Sequence, residues 1–183
     1  MSNMIDEIES LVKKGFVVIG YDDIMEIIYL SEGSIRIKAK NSSFVINPSK
    51  KIDEDVVVLT KKPSDYSEFE EKLVIDGPGE YEFSGVSIKG ELIEESLSFE
   101  FLEDNQKILL LTSPDSIKSL EAEDYTATIF LLGDYSGNIP QVSSGVVIVV
   151  GSNIEAGPTV KRTDKINLKK TEEYKGFIVH LRK

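Results

Sequence analysis

The sequence predicts a strand-dominated α+β domain with one good helix, and three observations carry that reading. Residues 34–40 alternate Ile35, Ile37 and Ala39 against Arg36, Lys38 and Lys40, the period-two pattern of a half-buried strand. Four later runs, 56–59, 108–111, 129–132 and 146–150, are apolar at every position, as expected of strands covered on both faces. Helical spacing is clear only near the start, where Met4, Ile5, Ile8, Leu11 and Val12 make an amphipathic helix within residues 1–14 and Gly15 supplies its stop.

The remaining elements follow in order. Ile27, Tyr29, Phe44 and Ile46 sit in short stretches rich in branched and aromatic residues, on either side of the alternating segment. Turn chemistry separates the later strands at Asp76-Gly77-Pro78-Gly79, Glu103-Asp104-Asn105, residues 133–138 and Gly157-Pro158. Two short helices are expected, over 64–72 and over 116–123, the second capped by Ser116 or Asp115. No linker or fixed-period repeat divides the chain, so residues 1–183 read as a single domain.

Bulk composition narrows the function classes. The 183 residues are enough for one real core, with 40% hydrophobic and 29% charged residues. A net charge of −11, with basic residues interspersed among acids, opposes binding to nucleic acid or anionic membrane. Without cysteine there is no disulfide, zinc ribbon, iron–sulfur cluster or thiol nucleophile. The N-terminus lacks the pattern of a signal peptide and no apolar run spans a bilayer, so a cytoplasmic location is the expectation.

Several segments carry a resemblance. Residues 53–67 read Asp-Glu-Asp-Val-Val-Val-Leu-Thr-Lys-Lys-Pro-Ser-Asp-Tyr-Ser, and 75–88 contain Gly-Pro-Gly-Glu-Tyr-Glu. With the strand pattern of 25–48, ending in Asn47-Pro48, and with 163–170 and 176–181, these resemble the small lactonase-like branch of the metallo-β-lactamase superfamily. The resemblance implies an αββα sandwich of two mixed sheets, here with reduced helical layers, and a metal site on the loop after the fourth strand. In relatives that loop reads Thr-His-x-His-x-Asp-His.

Aligned on Thr60 and Asp65, the three histidine positions fall on Lys61, Pro63 and Tyr66. The strand ending at Thr112 continues into Ser113-Pro114 where relatives place a bridging aspartate, and 146–150 runs into Gly151-Ser152-Asn153 where relatives lead to a final histidine. Catalytic zinc sites need three protein ligands and an open position, so the expected site is degenerate, with no metal and no cofactor.

Two substitutions suit a missing dication. Lys61 is expected to pair with Asp65, and Asn47 replaces the Asp of Asp-Pro with a neutral isostere. Gly77, Pro78, Gly79 and Glu80 are read as a structural turn rather than an anion cradle, because no helix follows. Alternatives are an oxygen-ligand site of Asp65, Asp134 and Glu80, and a base and proton donor from Lys61 and Tyr66. His180, between Val179 and Leu181, is expected to be a partly exposed strand histidine.

The resulting expectation is a pseudoenzyme of this hydrolase fold, a metal-free scaffold or protein-interaction module. The alternatives are a metal-dependent hydrolase with an unorthodox site and a non-catalytic small-molecule binder using the old cleft. A shortage of helices to cover both outer sheet faces points to self-association or a protein partner, most simply a dimer.

Overall fold

The computed structural model describes residues 25–119, 124–140, 142, 144–154, 160–175 and 177–182. The helix expected within residues 1–14 lies outside the described residues, as do positions 120–123 of the one expected over 116–123.

Among the described residues, fourteen strands form two sheets. In chain order they are β1 Glu26–Ser31, β2 Ser34–Lys38, β3 Ser43–Ile46, β4 Val56–Val58, β5 Leu73–Ile75, β6 Gly79–Phe83, β7 Val86–Ile93, β8 Ser96–Glu103, β9 Gln106–Leu111, β10 Tyr125–Asp134, β11 Ser144–Ser152, β12 Val160–Thr163, β13 Lys165–Asn167 and β14 Ile178–Leu181. The first sheet has the order β13-β1-β2-β3-β4-β5 and the second β12-β14-β11-β10-β9-β8-β7-β6. Both are mixed: β13-β1-β2-β3 and the β6–β9 meander are antiparallel, while β3-β4-β5 and β9-β10-β11-β14-β12 are parallel.

Helical content is low, as the sequence predicts. The segment 64–72 holds only a 3-10 turn at Ser67–Phe69, and the later helix is a 3-10 segment at Pro114–Ser119. A third 3-10 segment, Leu168–Tyr174, starts from Asn167, whose side chain accepts the Lys169 N–H as an N-cap should.

The continuous apolar runs are explained by which way alternate residues point. Ile108 and Leu110, Ile129 and Leu131, and Val146, Ile148 and Val150 join Ile35, Ile37, Phe44, Ile46, Val56 and Val58 in the core between the sheets. Leu109, Leu111, Phe130 and Val149 point the other way and form a second cluster on the outer face, with Ile117, Ile139, Val142 and Ile154 packed on it. Both faces of these strands are dry, which is what parallel strands in an α/β sheet require. On the first sheet, Val45 and Val57 alternate with the core residues and are buried too. Leu73 of β5, Leu92 of β7 and Leu102 of β8 remain exposed.

Aromatic rings fill the middle of the sandwich. Phe44 of β3 meets Phe101 of β8 at 5.8 Å and Phe83 of β6 edge-on at 6.2 Å, so one side chain ties the first sheet to two strands of the second. At one end, two carboxyl and amide side chains latch the sheets. Glu103, buried in the β8–β9 turn, accepts the Lys40 N–H at 3.2 and 3.3 Å, and Gln106 Oε1 accepts the Met25 N–H at 2.7 Å. These contacts place the β2–β3 turn beside the start of β9. The C-terminal ends of β3, β4, β5, β9, β10, β11 and β14 consequently share the opposite rim.

Two stability outcomes are expected. Phe44→Ala should destabilise by about 3–5 kcal/mol, since it opens a cavity where the two sheets meet. Glu103→Ala should cost about 1–3 kcal/mol by leaving the Lys40 N–H without this acceptor. Urea unfolding midpoints within error of the parent for both variants would contradict this account of how the sheets are joined.

Candidate functional site

The rim gathers every segment singled out in the sequence, and the chain's local chemistry decides how each one is held. At the end of β3, Asn47 takes a left-handed conformation with φ 47°, which asparagine tolerates better than most residues. From there its Oδ1 accepts the Thr60 N–H at 2.9 Å, and its Nδ2 donates to Thr60 Oγ1 at 2.9 Å. The amide thus clamps the exits of β3 and β4 together, using both of its functional ends.

The loop after Thr60 is closed on itself. Both Asp65 carboxylate oxygens turn to Ser67, accepting its N–H at 2.9 Å and its hydroxyl at 2.7 Å, and these bonds hold the Asp65 carboxyl below the usual aspartate range. Lys61 and Asp65 are both exposed, and among the described residues Lys61 makes no ion pair. The expected Lys61–Asp65 pairing is therefore replaced by a local Asp65–Ser67 closure. Pro63 is half-buried in the same loop. Tyr66, on the third former histidine position, donates its hydroxyl to Asp76 Oδ2 at the end of β5. That bond raises the phenol above its ordinary value.

Across the rim, the second sheet is equally self-satisfied. Thr112 Oγ1 donates to the Leu97 carbonyl at 3.4 Å. Asp134, at the end of β10, accepts from Asn153 Nδ2 and, at 3.4 Å, from the Ser152 hydroxyl. Asn153 is itself left-handed, with φ 58°. The Gly77–Glu80 turn packs as a spacer: Gly77 O accepts the Tyr81 hydroxyl at 3.2 Å, and a Cβ on Gly90 of β7 would come within 2.5 Å of that same carbonyl. Gly90 is glycine because the turn's backbone occupies its side-chain space.

The chain matches no protein-family profile and no curated protein. Its architecture, however, superposes on a protein from Thermotoga maritima assigned to the zinc-dependent hydrolases of the metallo-β-lactamase superfamily, with a TM-score of 0.61 over 86% of this chain and 100% of that one, at 14% identity. This chain has the metallo-β-lactamase fold. The metallo-β-lactamase fold protein YhfI from Bacillus subtilis is similar at a TM-score of 0.56 and 8% identity, covering 88% of this chain and 97% of that one. A metal-dependent hydrolase from Parabacteroides distasonis follows at 0.53 and 11%, covering 86% and 92%.

Among the described residues the donor set on this metallo-β-lactamase fold does not fit a transition-metal centre. Among the described residues no three side chains drawn from His, Asp and Glu converge. Asp65, Asp134 and Glu80 are not brought together, and the carboxylates of Asp65, Asp76 and Asp134 already accept hydrogen bonds from neighbouring side chains. Thiolate is absent and imidazole is limited to His180, whereas zinc and its neighbours in the series are held mainly by those donors.

His180 differs from its sequence reading. It is 3% exposed, not partly exposed, and its Nε2 lies 2.9 Å from the Gly151 carbonyl, so that nitrogen carries the proton. Its Nδ1 is buried without a partner. Burial, with Arg182 and Arg162 nearby, pushes His180 below the ordinary histidine value, against the opposing pull of the Gly151 bond. Beside it a hollow of about 280 Å³ opens at the rim between Tyr29 and Glu32 of the first sheet and Ser152, Asn153 and Arg182 of the second. Sequence reasoning missed this hollow because its walls come from segments more than a hundred residues apart.

Two outcomes follow. Because the folded-state value of His180 is depressed, its contribution is complete above the unfolded value of about 6.5 and is lost as pH falls from there through the folded value. With a single histidine, melting temperature should therefore decline between pH 7 and pH 5.5, and His180→Gln should flatten the decline; an unchanged slope would contradict the buried, neutral imidazole. Lys61→Ala and Asp65→Asn should be additive in their effect on the urea unfolding midpoint when combined. Coupling in that double-mutant cycle would restore the ion pair.

Proposed function

We propose that this chain is a metal-independent, non-hydrolytic member of its fold, a pseudoenzyme that acts by binding. One observation carries the reading: the positions that hold metal ligands in the resemblance are filled by Lys61, Pro63 and Tyr66, and the polar groups around them are bonded to one another. A hydrolytic site keeps its ligands convergent and one coordination position open. Here Asn47–Thr60, Asp65–Ser67, Tyr66–Asp76 and Asp134–Asn153 each close a short loop. Such pairs favour a fixed rim over a reactive one.

What the rim binds is narrowed by burial. A scaffold role through the central strands would need an apolar face there, but Leu109, Leu111, Phe130 and Val149 are buried; the large apolar side chains exposed among the described residues are Tyr66, Leu73, Leu92 and Leu102. The hollow beside His180, concave and walled by both sheets, supports a small polar ligand as one occupant of the rim. A protein partner or second copy remains part of the proposal only through the rim or a strand edge, and would appear as a doubled mass in light scattering at micromolar concentration.

Purified protein is expected to hold less than about 0.1 equivalent of zinc, iron or manganese after gel filtration and to leave ester, lactone and phosphodiester substrates intact with or without added metal. Stoichiometric metal on elemental analysis, or turnover restored by zinc or manganese, would overturn the proposal.

A further inference from the structure

A second hollow, of about 320 Å³, opens on the first sheet beside the segment that follows β3. Its floor is Ser34 and Arg36, two apart on β2 and so on one face, opposite Ile35 and Ile37 in the core. The β3–β4 crossover forms its wall with Ser49, Lys50 and Lys51, and Ser31 closes the end of β1. Ser31 and Ser49 hydroxyls face each other at 3.2 Å.

Two groups on the floor lack partners. Ser34 is 1% exposed and its hydroxyl makes no hydrogen bond; Arg36 Nε is also buried and unbonded, although Nη2 of the same guanidinium pairs with Glu54. A buried donor left unmade costs on the order of 1–3 kcal/mol, and such a group in a folded protein calls for an explanation, a bound ion among them. Arg36 Nε can only donate, so whatever completes it must accept.

Local charge points the same way. Although the chain carries −11, the segment 34–51 contains Arg36, Lys38, Lys40, Lys50 and Lys51 and no acid at all. With Glu54 committed to Arg36, the hollow retains Lys50 and Lys51 against Asp53. Hydroxyls of Ser31, Ser34 and Ser49, the guanidinium and two ammonium groups supply more donors than the two oxygens of a carboxylate accept, and a tetrahedral phosphoryl group matches them better. The overall charge opposes polyanions, and the volume suits a small molecule.

We infer that this hollow is a binding site for a small phosphorylated ligand, with the phosphoryl group over Ser34, Arg36 and Ser49 and with Lys50 and Lys51 at the mouth. The site uses none of the bonded pairs on which the non-hydrolytic reading rests, so the two stand or fall separately. Inorganic phosphate is the probe, titrated into the isotopically labelled full chain at constant ionic strength and followed by amide NMR. The expected result is saturable shifts confined to Ser31, Ser34, Arg36 and residues 49–51, with affinity weakened at least about fivefold in K50Q/K51Q, whose exposed positions leave the melting temperature unchanged. Ser34→Ala should weaken binding further while keeping the fold. Shifts that fail to saturate, that spread over the surface lysines generally, or that are identical in K50Q/K51Q would overturn the inference.

Discussion

Everything in this molecule depends on one constraint: the central strands of the second sheet must be kept dry on both faces. Ile108, Leu110, Ile129, Val146 and Ile148 are covered by the first sheet, and Leu109, Leu111, Phe130 and Val149 by the 3-10 segment at Pro114–Ser119 and neighbouring loops. At about 25 cal/mol per Å² of apolar surface, exposure of either side would outweigh the margin by which a domain of this size is stable. The interlock of Phe44 with Phe83 and Phe101 fixes how the sheets meet, and the Glu103 and Gln106 latches fix which ends coincide. From these the rim follows.

The rim is held by short-range bonds among its own polar groups. A cleft arranged for a dication leaves carboxylates without a counter-charge when the imidazoles are replaced, and an unpaired buried carboxylate is costly. Here the carboxylates are instead solvated or locally bonded. Asp65 finds Ser67 two residues on, Asp76 finds Tyr66, and Asp134 finds Asn153. None requires a long-range cation.

Much of the fold was legible from residue pattern because alternation and continuity report burial directly. The runs at 108–111 and 146–150 are strands covered on both sides, and 34–40 contributes β2 with Ile35 and Ile37 inward. His180 shows where the pattern falls short. Val179 and Leu181 do face the core and His180 does face away, but alternation says nothing about whether the other side meets water. Nor does a four-residue spacing bring Lys61 to Asp65 when a serine two residues away satisfies both carboxylate oxygens at lower entropic cost. The segment 64–72 was too short to sustain a helix without tertiary support, and it yields one 3-10 turn. The hollow over Ser34 and Arg36 had a signal in the acid-free stretch 34–51, hidden because a whole-chain charge averages it away.

The pairing of β13 with β1 carries a consequence for how the chain folds. Glu26, Ile27 and Ile28 meet Asn167, Ile166 and Lys165, so the first sheet is closed along this edge by residues from the far part of the sequence. Its other pairs, β1 with β2, β2 with β3, and β3 through β5, join neighbours in the chain. Loop-closure entropy makes the distant pair the last to form, and high contact order makes it slow. During synthesis β1 therefore keeps an unpaired edge until β13 has left the ribosome, and that interval is when the nascent chain is most exposed to strand addition by other molecules.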